Sequence, residues 1–362
     1  MFTVYALNNA LSRIPGMALR TLTTDAAGPA AQQRLEPAQL EGLYRNQDIR
    51  MHRRIAGASV SLGMLGELPS LVRWADVVHL TAIYSFPTLP TLLLCRLFGK
   101  PVVWSPHGAV QDAFEWEGTK RKSMKRIWEM ACNALLLSRS ARLHVISERE
   151  RTSTQARLPR AGAFIVPNGV EIPDELPQRE WLPRGVLRLM YLGRLSQKKG
   201  IENLLHAIAR HDDPSLSLSI YGGGEADYVT CLHDLAGKLG ILNRRVFFAG
   251  HVDGADKSRA FLQSDVCIVP SHTECFCMVV AESLAHGVPV IASHGTPWAE
   301  VETEGCGLWV DNAPESLLAA IERIRGMDLA EMGQRGRSWM KRDFTWEVAA
   351  ARMADIYRKL VA

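Results

Sequence analysis

Leu187-Arg188-Leu189-Met190-Tyr191-Leu192-Gly193 is a short apolar run that stops on glycine, and Ile201, Leu204, Leu205 and Ile208 follow it at the i, i+3, i+4, i+7 spacing of one helix face. A strand leading into an amphipathic helix is one βα unit. The rhythm returns downstream. Leu216, Leu218 and Ile220 alternate into Gly222-Gly223-Gly224, Val246-Phe247-Phe248 leads to Gly250, Val266–Val269 stops at Pro270, and residues 288–292 stop at Ser293. Apolar strands alternating with helices predict an α/β fold, a parallel sheet with crossover helices on both faces.

Upstream the pattern is less regular. Residues 76–80, 101–104, 143–146 and 163–166 read as strands. Pro167-Asn168-Gly169-Val170, followed by the prolines and charges of 173–183, separates the two halves. A length of 362 residues suits two domains of roughly 150 residues each. The expected organisation is a first domain over 1–166, a second over 167–343 and a terminal helix over 344–362.

Hydrophobic residues at 47% and charged residues at 22% exclude a disordered or fibrous chain. The net charge of +4, from 42 basic and 38 acidic side chains, is too balanced for nucleic acid to be the default partner. The apolar run at Leu92, Leu93 and Leu94 is broken by Cys95 and Arg96, far short of the ~18 residues a membrane span needs. Met1-Phe2-Thr3-Val4 has no basic leader, and Asn8 and Asn9 interrupt any apolar signal segment. Seven scattered cysteines read as reduced thiols rather than a disulfide framework. The expected compartment is a bacterial-style cytoplasm or its membrane face.

In open α/β sheets ligands sit beyond the carboxyl ends of the strands, so the residues there are the candidates for chemistry. Gly193-Arg194-Leu195-Ser196-Gln197-Lys198-Lys199-Gly200 sets cations beside a helix N-terminus whose free N–H groups favour an anion such as phosphate. It also reads as a solvated basic turn. Ser271-His272-Thr273-Glu274-Cys275-Phe276-Cys277-Met278-Val279-Val280-Ala281-Glu282 is again strand, loop and helix, with two acids eight residues apart. A carboxylate is acceptor-only and suits the cis-diol of a sugar or ribose, while the bland alternative is a capping Glu274 and a solvated Glu282. Lys120, Arg121, Lys122, Lys125 and Arg126 gather beside Trp116, Met124, Ile127 and Trp128. They form either a membrane-surface helix on anionic lipid or a solvated helix face.

Together these segments resemble the retaining family 4 glycosyltransferases of bacterial surface-polysaccharide type, over nearly the whole chain. The matching parts are Gly193-Arg194-Leu195 to Lys199-Gly200, the E-x7-E pair Glu274 and Glu282, residues 282–292, Pro167-Asn168-Gly169-Val170 and Ser105-Pro106-His107-Gly108. The resemblance implies the GT-B fold, two Rossmann-like domains facing across a cleft, with a terminal helix after Phe344-Thr345-Trp346 crossing back onto the first. It implies a donor site of Gly193, Arg194, Lys199, Glu274, Phe276, Cys277, Met278 and Glu282, with Arg194 and Lys199 on the pyrophosphate, Glu282 on the ribose and Glu274 on the sugar hydroxyls. His107, Glu274, Arg194 and Lys199 are the implied catalytic set. Gly295-Thr296-Pro297-Trp298-Ala299-Glu300 resembles the family's Gly-x-Pro-Glu turn near the nucleotide.

Cations doing a metal's work imply no metal and no cofactor, and no Asp-x-Asp motif stands at a suitable strand end. The implied partners are a nucleotide sugar, a glycan or lipid-linked acceptor and an anionic membrane surface, but not nucleic acid. Two departures stand out. The family's first strand and glycine-rich loop are missing ahead of residues 1–13, which look like its first helix, with 19–24 then its second strand; the expectation is a start assigned downstream of the true one, the alternative a fragment. Cys275 and Cys277 replace both glycines of the family's Glu-Gly-Phe-Gly loop, where glycine permits positive φ. The leading expectation is a hexosyltransferase in surface polysaccharide assembly; the alternative is a degenerate, non-catalytic member that binds nucleotide sugar or glycan within a complex. A dehydrogenase is disfavoured, because no Gly-x-Gly-x-x-Gly follows a first strand.

Overall fold

The computed structural model describes residues 2–26, 35, 48–57, 59–81, 83–111, 121–137, 139–211 and 215–362. The chain divides into two units, Met1–Gly169 with Trp346–Ala362, and Val170–Thr345. The division falls a few residues beyond 166 and 343 because of two local contacts. In the second unit the Val170 N–H donates to the Phe344 carbonyl at 2.7 Å. In the first, a Cβ on Gly169 would lie 2.7 Å from the Trp346 backbone, so only glycine admits that approach.

The first unit runs α1 (Phe2–Leu11), β1 (Arg20–Thr24), β2 (Asp48–His52), α2 (Leu62–Trp74), β3 (Val78–Thr81), α3 (Thr88–Phe98), β4 (Val102–Ser105), α4 (Lys122–Leu135), β5 (Ala141–Val145), α5 (Glu148–Arg157) and β6 (Gly162–Ile165). β1 and β2 pair in parallel, and β3-β4-β5-β6 form a second parallel sheet in sequence order. Successive strand residues point to opposite faces, and β4 shows the consequence. Trp104 is fully buried in a cluster with Leu68, Leu92, Cys132 and Leu143. Val103 faces the other way, into a layer built by α1 and a terminal helix.

The second unit contains β7 (Leu187–Leu192), α6 (Ile201–Arg210), β8 (Leu216–Tyr221), α7 (Ala226–Lys238), β9 (Val246–Gly250), α8 (Gly254–Leu262), β10 (Val266–Val269), α9 (Met278–Ala285), β11 (Val290–Ser293), α10 (Glu300–Thr303), β12 (Gly307–Val310), α11 (Pro314–Arg325) and α12 (Leu329–Asp343). The terminal helix α13 (Trp346–Val361) belongs to the first unit, where Ala349, Ala350, Met353 and Ala354 pack beside Ala6, Leu7 and Ala10 of α1. Small residues on both helices let their backbones approach.

The strand order of the second sheet is β12-β11-β10-β7-β8-β9, with every pairing parallel. The chain winds outward from β7 in one direction and from β10 in the other. β7 and β10 are therefore neighbours at the point where the order reverses, the position beyond whose carboxyl ends open α/β sheets bind ligands. The near-continuous apolar runs that marked these strands follow from burial on both faces: Leu187, Leu189, Met190, Val266, Cys267, Ile268, Val290 and Ile291 are all at most 1% exposed. Among the described residues, no helix is long and apolar enough to cross a membrane.

Candidate functional site

The loop after β7 turns through a 3-10 helix at Gln197–Lys199 and closes on Gly200, at φ 62°. A Cβ on Gly200 would sit 2.2 Å from the Pro270 carbonyl oxygen at the end of β10. Glycine is thus the condition for the two loops to touch, and the His272 N–H donates to the Lys198 carbonyl at 2.9 Å. On the other flank, a Cβ on Gly222 would meet the Gly193 carbonyl oxygen at 1.8 Å, so the loop after β8 also lies against this turn.

That packing brings together residues 75 positions apart. The Lys199 ammonium donates to Glu274 Oε1, and the Ser271 hydroxyl donates to the same oxygen at 2.7 Å. The Glu274 side chain is only 10% exposed, and its backbone N–H is held by the Gly295 carbonyl at 2.8 Å. Arg194 is exposed, and its guanidinium has no ion-pair partner among the described residues; its carbonyl accepts from the buried Tyr191 hydroxyl at 2.9 Å. The turn therefore presents Arg194 to solvent and Lys199 to a carboxylate.

Just over one turn into α9, Glu282 accepts from Lys257 of α8 at 2.8 Å. His286 fastens the same helix turn, with Nδ1 on the Glu282 carbonyl at 2.7 Å and Nε2 against the Ser258 hydroxyl at 3.1 Å. Lys257 and Ser271 were not foreseen from the sequence. No motif spacing joins Lys257 to an acid 25 residues away on another helix; the serine opens the Glu274 loop and its proximity was the only available signal.

Cys277 caps α9 in the left-handed region, at φ 66° and ψ 74°. This is a conformation that glycine adopts freely and a side chain adopts at a cost of about 1–2 kcal/mol. Burial pushes its thiol well above the usual range, the Glu274 charge pushes it further, and Lys199 opposes both. Cys277 is a neutral thiol at pH 7. Phe276 is 6% exposed; its ring packs 5.1 Å from Trp298 and 6.2 Å from Phe344, and its carbonyl accepts from the Trp298 indole. The ring anchors the loop from behind, and Trp298 of the 295–300 turn belongs to the same aromatic packing. Met278 is half-buried at the first position of α9.

His107 lies in the first unit, at the turn following β4, with φ 50°. Its half-buried ring stands 6.3 Å from that of His144, and burial holds its pKa down to about 4. The two units carry these residues separately, His107 on one and the Arg194, Lys199, Glu274 and Glu282 set on the other.

Of the basic cluster, Arg121 caps α4 in the left-handed region, Lys125 stands 4.9 Å over the Tyr84 ring, and Lys122 and Arg126 flank it; Lys120 and Trp116 lie outside the described residues. Along the outer side of α4, Met124, Ile127 and Met130 are 60%, 68% and 72% exposed. Trp128 turns inward and donates to the Ile83 carbonyl at 2.7 Å. Among the described residues, no three His, Cys, Asp or Glu side chains gather where they could hold a metal ion.

Two α/β units with parallel sheets, the second doubly wound around a cation-bearing loop, are the GT-B fold. The Anabaena protein HepE in complex with UDP has the same fold, with a TM-score of 0.73 at 16% identity over 95% of this chain and 100% of that one. A model described as glycosyl transferases group 1 matches residues 174–339, and one described as a glycosyl transferase 4-like domain matches residues 15–169. The D-inositol 3-phosphate glycosyltransferase of Corynebacterium diphtheriae is 30% identical over 309 residues, 78% of this chain and 70% of that protein. The chain belongs to this glycosyltransferase family. Glycogen synthase of Mycobacterium tuberculosis is also 30% identical, over 202 residues that make up 53% of this chain and 47% of that protein. The chain thus spans about half the length of some of the curated relatives it matches.

Proposed function

We propose that this protein is a retaining hexosyltransferase, moving a hexose from a nucleotide sugar to a glycan or lipid-linked acceptor in surface polysaccharide assembly without a metal ion. The observation that carries the reading is the meeting of Lys199 and Glu274 at the strand reversal, beside Arg194, which has no ion-pair partner among the described residues. A nucleoside diphosphate competes with Glu274 for the Lys199 ammonium and draws Arg194 in. Glu274 is thereby released to accept from the sugar's hydroxyls. Glu282, kept in place by Lys257, accepts from the ribose diol.

In the transfer, the bond from C1 of the sugar to the diphosphate oxygen breaks, and the acceptor oxygen bonds to C1 on the same face. The acceptor proton passes to the departing phosphate oxygen. Cations preorganised where that negative charge develops lower the barrier. His107, neutral at pH 7, serves the acceptor side. The UDP complex of HepE and the glycosyltransferase relatives support a nucleotide-sugar donor.

The exposed stripe Met124, Ile127 and Met130, with Lys122, Lys125 and Arg126 beside it, supports peripheral binding to the cytoplasmic face of the inner membrane, where a lipid-linked acceptor resides. The strained Cys277 favours a second reading, a non-catalytic subunit that binds nucleotide sugar or glycan. Incubating the purified chain with a panel of nucleotide sugars and glycan or lipid acceptors, with EDTA present, separates the two. Nucleoside diphosphate release supports the enzyme; thermal stabilisation by a donor with no release for any acceptor supports the binding subunit.

A further inference from the structure

A continuous hydrogen-bonded chain crosses the first unit beneath His107. The Tyr357 hydroxyl of α13 lies 2.5 Å from His79 Nδ1 on β3; His79 Nε2 lies 2.6 Å from the Ser105 hydroxyl at the end of β4; that hydroxyl lies 2.6 Å from His144 Nδ1 on β5; and His144 Nε2 lies 2.8 Å from the Val166 carbonyl. The carbonyl can only accept, so His144 Nε2 carries a hydrogen. Burial holds both imidazoles neutral, His144 down to about 3 and His79 well below its ordinary value. His144 Nδ1 therefore accepts from Ser105, Ser105 accepts from His79 Nε2–H, and His79 Nδ1 accepts from Tyr357. Every proton is assigned, and all donate in one direction.

Three residues beyond Ser105, at Gly108, the turn is held by a second group. Glu150, wholly buried, takes the Gly108 N–H on Oε1 and the Ile146 N–H on Oε2 at 2.8 Å. Its own N–H donates to the Ser147 hydroxyl at 3.2 Å, so the residue that would close a capping box at the start of α5 instead ties the ends of β4 and β5 together. His107 and Gly108 both have positive φ, 50° and 75°, a conformation that needs such support.

We infer that Glu150 is a positioning residue for His107, and that the chain from Tyr357 through His79, Ser105 and His144 fixes the same turn from beneath and couples it to the terminal helix. The inference rests on the proposed role of His107 in glycosyl transfer. Two measurements on the full-length protein test it. Nitrogen-15 shifts of labelled histidines are expected to show His79 and His144 as neutral Nε2–H tautomers; an Nδ1–H tautomer at His144 overturns the chain.

Glu150→Gln puts an amide donor against one of the two N–H groups. It is expected to move the His107 resonances and to lower kcat about tenfold or more with donor KM changed less than about twofold. A folded Glu150→Gln protein with unmoved His107 resonances and unchanged kcat overturns the proposal. Should that variant fail to fold, Tyr357→Phe removes a single hydroxyl; it is expected to shift His79, and unchanged His79 resonances overturn the coupling to the helix. The resonances are read with or without turnover. Shifts as expected in a protein that transfers no sugar leave the positioning standing and refute the glycosyltransferase reading instead.

Discussion

Arg194 and Lys199 carry the same charge on the same turn but stand in different surroundings, and their substitution separates binding from folding. Arg194 is exposed, so Arg194→Ala is expected to leave the melting temperature unchanged while kcat/KM falls about a hundredfold, roughly 3 kcal/mol, as for loss of one preorganised donor to a developing charge. Lys199→Ala removes that contribution and also takes the Lys199 charge away from the buried Glu274 carboxylate. It is expected to lose activity and about 3 kcal/mol of stability together, read by kinetics and urea unfolding. Glu282→Ala and, more weakly, Lys257→Met are expected to raise donor KM more than they lower kcat, because a ribose is held equally in the ground and transition states. A kcat defect at unchanged KM counts against the ribose assignment.

At the scale of single elements, α9 begins on a residue that its conformation does not favour. Replacing Cys277 by a β-branched residue at φ 66° adds steric conflict, so Cys277→Val is expected to cost about 2 kcal/mol relative to Cys277→Ala, measured by chemical denaturation. Equal stability of the two would refute strain at this cap. The helix α4 is amphipathic in an unusual sense: Glu129 and Cys132 face inward, while Met124, Ile127 and Met130 face water. Lys122→Glu with Lys125→Glu is expected to reduce cosedimentation with phosphatidylglycerol vesicles at least tenfold while leaving neutral vesicles unaffected, each cation near the surface contributing about 1 kcal/mol. The positions of Lys122, Lys125 and Met124 were legible in the sequence; that the methionine and isoleucine remain uncovered was not, since burial depends on what packs against the helix.

Across the whole molecule, the first unit is expected to be the acid-sensitive one. His79, His107 and His144 have folded-state pKa values depressed by burial, against an ordinary value of 6.5, and in the second unit burial lowers that of His286. Above pH 6.5 all three are neutral in both folded and unfolded chains, and their contribution is fully present. As pH falls below 6.5 the unfolded chain takes up protons that the folded one refuses, and stability is lost progressively down to about pH 3–4. Each histidine contributes a slope of about 1.4 kcal/mol per pH unit, so several kcal/mol are expected to vanish between pH 6.5 and 5. Calorimetry at the two pH values checks this: a transition of the first unit that does not move down more than that of the second contradicts it.

By itself the amino-acid sequence determined the period of each element and where strands stop, because apolar spacing and turn residues act within a few positions along the chain. The strand ends it marked carry Arg194, Lys199, Glu274 and His107, while Glu282, inside α9, was marked by the E-x7-E spacing of the family it resembles. Only the tertiary structure decided that β7 lies beside β10, and hence that Lys199 meets Glu274. The partners Lys257, Ser271, Glu150 and Tyr357 came from there too. Strand order is set by which faces are buried against which helices, and a contact between positions separated by 25, 75 or 278 residues leaves no periodic trace in either segment.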